Sequence, residues 1–317
     1  MIRRAKRVST SVQVMVVGQI TRDLVLGVDQ VPAPTGTTPV LDRREMLGGK
    51  GGNQAVGLSQ LGVPVGLLGV VGDDDVGRRV LDQARSDGID TSPVVRRSGT
   101  ETALVVDIVD RRGHWRYLES MPPATLLTES DIAAAQALDT ASAVLVQLQQ
   151  PTAAALAAAH RAHAAGARVL LDGAPRDGHQ RDALLAAADI VRADAREAGR
   201  LTGTPVTDAA TAIRVGRELL RRGPWLVALA INSRGNGFIW QGGEALIPLV
   251  DTPVVDTTGA GDALVAGLVA ALLRGHEPGE AARFAVAAAA ATVGHLGGRP
   301  SLSTEAIDEQ LGKVRNA

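Results

Sequence analysis

The 317-residue chain contains no cysteine. That removes disulfides, thiolate metal sites and thiol nucleophiles together. Aromatic residues are scarce as well, three Trp, one Tyr and two Phe, or 2% of the chain. The core must therefore be aliphatic, and single-strand nucleic-acid platforms built on stacked rings are not expected. Charge of one sign is also missing. Lys and Arg number 33 against 34 Asp and Glu, for a formal net charge of −1, so no field favours nucleic acid or an anionic membrane as partner. No apolar run reaches the roughly 18–20 residues that a membrane helix needs. Met1–Arg7 carries four basic residues, but Ser9, Thr10, Ser11 and Gln13 interrupt the apolar stretch after it. Residues 1–11 read as a frayed tail before a strand and not as a signal peptide. These absences lead to the expectation of a cytoplasmic protein, long enough for one large α/β domain or a domain with a smaller appendage.

What the chain does contain is alternation. Val12–Gly18 (VQVMVVG) is a continuous apolar run ending in glycine, the pattern of a strand buried on both faces. Helical and strand patterns then succeed one another. Gly51–Leu61 reads as a helix, Val65–Val71 as a strand, Val76–Asp87 and Ile132–Leu138 as helices, and Ala143–Leu148 as a strand. Thr152–Ala165 is a helix closed by Gly166, followed by strands at Arg168–Leu171 and Asp189–Val191. Helices at Asp194–Leu201 and Asp208–Arg222, a strand at Trp225–Ile231, a hairpin at Gly237–Ile247 and helices at Ala260–Leu273, Pro278–Val293 and Thr304–Val314 complete the series. Such a series implies a mostly parallel sheet covered on both faces. Two passages break it, the Pro/Gly/Thr-rich stretch around Pro32–Pro39 and the hairpin pattern Thr102–Leu118. Both read as parts of a small sheet standing off the main body.

Two glycine-rich turns carry the chemistry. In Asp256-Thr257-Thr258-Gly259-Ala260-Gly261-Asp262 a β-branched segment runs into a turn that opens a helix. Backbone N–H groups at such a start lack intrahelical partners, and the helix dipole adds partial positive charge, so an anion fits there. Asp262 puts a proton acceptor beside that cradle, although the residue could equally serve as a helix cap. The second turn, Gly48-Gly49-Lys50-Gly51-Gly52-Asn53, also opens a helix. With no Ser or Thr after Lys50 it is not a Walker A loop. Its backbone N–H groups, the Lys50 donor and the Asn53 amide suit a ligand rich in hydroxyls.

Together the two turns resemble the ribokinase family of pfkB-type carbohydrate kinases. The resemblance runs from Val12 to Ser301 and includes Gly72-Asp73-Asp74 with Gly77, the strand before Pro151, Leu171-Asp172-Gly173-Ala174-Pro175, Ser233-Arg234-Gly235 and Gly297–Ser301. It implies a three-layer αβα sandwich with a mostly parallel central sheet and a small β-sheet lid. Residues 12–314 would form one kinase domain, with lid strands from about 22–47 and 101–120. It implies ATP as co-substrate, Mg²⁺, and a monovalent cation, commonly potassium. Asp262 would be the general base, and the N–H groups of Gly259, Ala260 and Gly261 an anion hole. Asp23, Gly49, Lys50, Asn53 and Gln149 match sugar-binding positions, and Asp194, Asn232, Ser233 and Gly235 match nucleotide-side positions. Glu197 matches a glutamate that orders Mg²⁺ through water. Asp256, Gly297 and Ser301 match loops around the monovalent cation. Lids of ribokinase-like members pair to make a homodimer.

The sequence also departs from that pattern. Thr21 stands where ribokinase has Asn, Gln149 where it has a glutamate, and Asp194 where the metal motif begins with Asn. Ala230 and Asn232 replace the usual Thr and Gly of the nucleotide loop, and Trp115–Pro123 shares nothing evident with the family. Trp115 and Tyr117 read either as packing in the lid or its dimer interface, or as a stacking surface suited to a nucleoside. A pentose or related sugar is the first expectation for the acceptor, a nucleoside the alternative, and a non-catalytic binding protein the reading from a different class. His160 and His163 read as solvent-facing, and the Asp73–Asp75 run as a helix cap.

Overall fold

The computed structural model describes residues 12–176, 178 and 180–316; the tail expected over residues 1–11 lies outside them. Its strands are β1 (Val14–Val17), β2 (Thr21–Val28), β3 (Val40–Gly48), β4 (Val65–Leu68), β5 (Val70–Gly72), β6 (Val95–Arg97), β7 (Leu104–Asp110), β8 (Trp115–Ser120), β9 (Ala143–Gln147), β10 (Arg168–Asp172), β11 (Ile190–Ala193), β12 (Leu226–Ala230), β13 (Gly235–Trp240) and β14 (Gly243–Pro248). The helices are α1 (Lys50–Gln60), α2 (Asp75–Ser86), α3 (Glu129–Ala134), α4 (Thr152–Ala164), α5 (Arg181–Ala186), α6 (Ala195–Thr202), α7 (Ala209–Leu220), α8 (Ala260–Leu273), α9 (Pro278–Thr292) and α10 (Thr304–Asn316).

Eight strands form the large sheet in the order β14-β13-β12-β11-β10-β9-β1-β4. The six from β12 to β4 run parallel, and the β13–β14 hairpin closes one edge antiparallel. Alternate side chains feed two separate cores, as the two-residue period of a strand requires. Val14 and Val16 point into one, with α1, α2, α8, α9 and α10. Met15 and Val17 point into the other, with α4, α5, α6 and α7. Alanine carries much of the helix side of both cores, which lets helices approach the sheet closely without aromatic bulk. Helix α8 is buried over ten of its residues, Asp262 among them, which explains an apolar run with no polar stripe.

The chain leaves β1, builds β4 on one side, and later returns to place β9 on the other. That reversal makes a crevice at the carboxyl ends of β1 and β9, where open α/β sheets bind ligands. The second sheet, β3-β2-β7-β8, grows directly out of β1 through β2. The strands on either side of Pro32–Pro39 and the hairpin within Thr102–Leu118 therefore do meet in one small sheet. Pro32–Pro39 is the loop between β2 and β3 and contributes no strand itself.

Two expected elements divide. Val65–Val71 is two strands, because β5 leaves the large sheet after Gly69 to pair with β6. A side chain at Gly69 would meet the Gly18 carbonyl at 2.5 Å, so the turn is pressed against the end of β1. The helix expected over Ile132–Leu138 is α3 plus a separate turn of 3₁₀ helix, and α3 begins earlier, at a capping box between Thr128 and Asp131. Asp74 caps α2 by accepting the Gly77 N–H at 2.7 Å. His160 and His163 are exposed.

Candidate active site

Helix α8 starts at Gly259, whose φ of 75° lies in the left-handed region. A Cβ there would lie 1.8 Å from the Gly298 carbonyl oxygen, so the turn before α8 and the loop after α9 can touch only through glycine. The Ala260 N–H reaches the Thr257 carbonyl at a long 3.4 Å.

Asp262 follows in the first turn of the helix and does not cap it. Its Oδ2 accepts from Asn53 Nδ2 at 3.2 Å and its Oδ1 from Gln54 Nε2 at 3.0 Å, both amides coming from the start of α1. The two glycine-rich turns of the sequence thus converge on one carboxylate. Burial is the largest influence on Asp262 and overcomes the opposing charge of Lys50; with the neighbouring Asp172 charge added, the carboxyl is pushed up to about 7.

Asp172, at the carboxyl end of β10, is fully buried. It accepts from Gln54 Nε2 at 2.7 Å and from Arg192 Nη1 at 3.0 Å. Burial alone would raise it, but the charges of Lys50 and Arg192 and these hydrogen bonds hold it below the usual carboxylate range. Of the two acids bridged by Gln54, Asp172 therefore keeps the negative charge, because a guanidinium touches it while Asp262 meets only neutral amides. Arg192 opposes burial through the charges of Asp172 and Glu197 and stays protonated. Lys50 Nζ donates to Glu197 Oε1 at 3.4 Å, and Arg192 lies 3.9 Å from Glu197 Oε2. Lys50 is likewise raised: burial would lower it, but Asp172, Glu197 and Asp262 outweigh that.

A cavity of about 230 Å³ lies between the small sheet and this network. The body lines it with Gly49, Lys50, Asn53, Gln149, Gly259 and Asp262, and the small sheet with Asp23, Asp107, Tyr117 and Glu119. Asp23 is raised to about 6 by burial, against the hydrogen bonds from Thr21 and the Gly49 N–H. The Thr21 hydroxyl donates to Asp23 Oδ1 at 2.5 Å and is itself fully buried. It orients the aspartate from behind. Trp115 and Tyr117 stack with ring centroids 4.6 Å apart, and the Tyr117 hydroxyl meets the Thr258 hydroxyl at 2.6 Å, tying the small sheet to the turn before α8.

The remaining sequence candidates do not line this cavity. Asp194 and Glu197 form a reciprocal capping box on α6 (2.7 and 2.8 Å), which fixes the glutamate. Asn232 and Gly235 bracket a short 3₁₀ turn after β12; Asn232 has φ 47° and Gly235 φ 140°. The side chain of Ser233, in the same turn, lies outside the described residues. Asp256 is 1% exposed and accepts the N–H groups of Thr258 and Gly297, each at 2.9 Å, so it clasps the two loops together. Ser301 is exposed at the far end of the second loop.

Among the described residues no group of three or more His, Asp or Glu could hold a metal ion by itself. Mg²⁺ arriving with nucleotide phosphates needs only one or two protein carboxylates, and Glu197, buried and fixed by its cap, fits that requirement. Asp256, buried with one backbone N–H on each carboxylate oxygen and lone pairs to spare, has the oxygen donors that a monovalent cation needs. Reading the sequence left out Gln54, Asp172, Arg192, Asp107 and Glu119 as site residues. Asp172 closes a strand in a β–Gly–Ala–Pro turn, a signal that was present; Arg192 and Asp107 lie inside strands and give none.

A parallel sheet whose carboxyl edge carries an open helix start, a buried acid beside it and a small covering sheet defines a ribokinase-like α/β kinase. The chain belongs to the pfkB family of carbohydrate kinases, whose family model ("pfkB family carbohydrate kinase") matches residues 12–305. It is a phosphotransferase acting on a sugar hydroxyl. The chain is 29% identical to a ribokinase of Haemophilus influenzae over 91% of its length and 94% of the relative's. It is 32% identical to an ATP-dependent ribose-1-phosphate kinase of Halopiger xanaduensis, covering 93% and 97% of the two chains. The crystal structure of Thermotoga maritima ribokinase superposes with a TM-score of 0.80 at 25% identity, covering 95% and 99%.

Proposed function

We propose that this chain transfers the γ-phosphoryl group of ATP to a primary hydroxyl of a pentose or related sugar, with Asp262 as general base. The observation that carries this reading is the setting of Asp262: a buried carboxyl raised to about 7, held by two amides, facing a cavity beside an open helix start. A base whose pKa lies near working pH is both deprotonated and able to accept a proton. The sugar oxygen forms a bond to the γ-phosphorus as its proton passes to Asp262, and the bond to the β-phosphate oxygen breaks to release ADP. The N–H groups of Gly259, Ala260 and Gly261 stabilise charge on the transferred group, aided by the helix dipole. Mg²⁺, when bound, neutralises phosphate charge; Glu197 holds its water shell, with Asp194 setting the glutamate through their shared cap. Asp256, Gly297 and Ser301 belong to the loops that would hold a monovalent cation such as potassium, whose positive charge would add to that of the helix start. Asn232, Ser233 and Gly235 border the nucleotide.

Asp23, Gly49, Lys50, Asn53 and Gln149 hold the sugar. A cavity of about 230 Å³ lies below the usual 300–1,000 Å³ of drug-sized ligand sites and suits a monosaccharide better than a nucleoside. Tyr117, stacked on Trp115 and bonded to Thr258, is occupied as lid packing. We read residues 12–314 as one kinase domain whose small sheet is the lid, in a cytoplasmic protein. Val40, Leu41, Trp115 and Leu118 expose 48–62% of their surface on that sheet, an apolar patch suited to pairing of two lids in a homodimer.

The test is ADP release with ATP, Mg²⁺ and potassium across ribose, fructose, glucosamine, adenosine and ribose 1-phosphate; the last is included because of the Halopiger relative's name. A sugar is expected to be turned over fastest. Fastest turnover of adenosine would make the chain a nucleoside kinase, and binding without turnover of any acceptor would remove catalysis from the reading.

A further inference from the structure

Asp107 is out of keeping with its strand. Its same-face neighbours on β7 are Val105 and Val109, and Asp107 itself is 3% exposed. Neither carboxylate oxygen has a partner at hydrogen-bonding geometry; the adjacent Thr258 hydroxyl, the one group that favours its charged form, also meets the Tyr117 hydroxyl and leaves the second carboxylate oxygen without any donor. Burial, then the charges of Asp256 and Asp23, push Asp107 up to about 7. A buried carboxyl without a donor weakens the fold, and an aliphatic residue would serve packing better. The cavity it lines also contains Asp23, Glu119 and Asp262. Among the described residues lining it, the one basic side chain, Lys50, is engaged by Glu197.

We propose that Asp107 is a substrate-binding residue that accepts a hydrogen bond from a hydroxyl or ammonium group on the lid-facing edge of the sugar. Together with Asp23 and Glu119 it makes an acidic wall that excludes acceptors carrying a phosphate on that edge. The inference rests on the sugar-kinase reading above. A neutral or amino sugar supplies the donor that Asp107 lacks, whereas a phosphate brings further negative charge against an acidic surface in which Asp23 and Asp107 are buried and Glu119 stands exposed at the rim.

The full chain is assayed with ribose, glucosamine, ribose 1-phosphate and fructose 6-phosphate. A neutral or amino sugar is expected to be the accepted substrate, with both phosphorylated sugars lower in kcat/KM by about a hundredfold or more. Asp107→Asn should raise KM for the accepted sugar by about ten- to a hundredfold, the worth of a hydrogen bond to a charged group, while kcat changes by less than about threefold. The ligand-free Asp107→Asn and Asp107→Leu proteins should both melt at a higher temperature than wild type, because a carboxyl with no partner has been removed. A purely structural Asp107 would give lower melting temperatures in both variants and overturn the inference. So would preference for ribose 1-phosphate, or an unchanged KM in Asp107→Asn. No turnover of any acceptor by wild type would instead defeat the kinase reading and this inference with it.

Discussion

Replacing Asp262 by Asn separates catalysis from stability, because the structure predicts opposite effects on the two. Asn53 Oδ1 has no hydrogen-bond partner, whereas its Nδ2 donates to Asp262 Oδ2. In Asp262→Asn a flip of the Asn53 amide would present that oxygen to the introduced side-chain NH₂, and Gln54 would go on donating to the oxygen that remains. The variant should therefore fold and bind sugar with nearly unchanged KM. Loss of the base should lower kcat by about 10²–10⁴-fold. The sign of the stability effect follows from proton linkage. Folding raises Asp262 from 3.8 to about 7, so between these values the native state holds a proton that the unfolded state has lost. Its burden is absent below about pH 4, grows through the interval, and is complete above pH 7. At about 1.36 kcal/mol per pH unit the full burden is about 4 kcal/mol, and weaker hydrogen bonding by a neutral amide takes back about 1–2 kcal/mol of it. Urea unfolding should thus show Asp262→Asn more stable than wild type by about 2–3 kcal/mol at pH 8, with the advantage gone near pH 4. In wild type, kcat at saturating sugar should fall about tenfold per unit below pH 7. Saturation matters, since Asp23, raised to about 6, and Asp107, raised to about 7, would titrate over the same range and, in the proposed sugar site, would alter binding. A variant with kcat within tenfold of wild type, or one less stable at pH 8, would refute the assignment.

Arg192→Met leaves Asp172 buried beside Gln54 without its guanidinium, and should cost about 3–5 kcal/mol in chemical unfolding. Because the charge of Arg192 helps to hold Asp172 low and also favours the charged form of Asp262, the kcat–pH profile of any folded Arg192→Met protein should move as well. Gly259→Ala places a methyl group against the Gly298 carbonyl and forces a left-handed residue. Turnover should drop sharply, and melting should fall by an amount matching about 1–3 kcal/mol of backbone strain; wild-type activity would show that the two loops can part without harm to the anion hole.

Much of this molecule was legible in order. The strand–helix series, the small stand-off sheet and each glycine turn follow from periodicity and turn chemistry, which are local; the pairing of the two turns rested on the family resemblance, and their meeting on Asp262 is tertiary. Boundaries slipped where a distant backbone pressed in, as at Gly69 against Gly18, or where a cap began a helix early, as at Thr128. Thr21, which in sequence is only a departure from the family's Asn, holds Asp23 through its buried hydroxyl.

By itself the sequence determined the family, the α/β layering, and the presence of an acid beside an open helix start, since each is written in residues adjacent along the chain. Only the tertiary structure decided which acid keeps its charge. Asp172 and Asp262 lie far apart in sequence, share one amide of Gln54, and are told apart by a guanidinium that β11 delivers to one of them. The same holds for the lid, where strand pairing buries Asp107 among acids, without a donor and facing the cavity that the two glycine turns prepare.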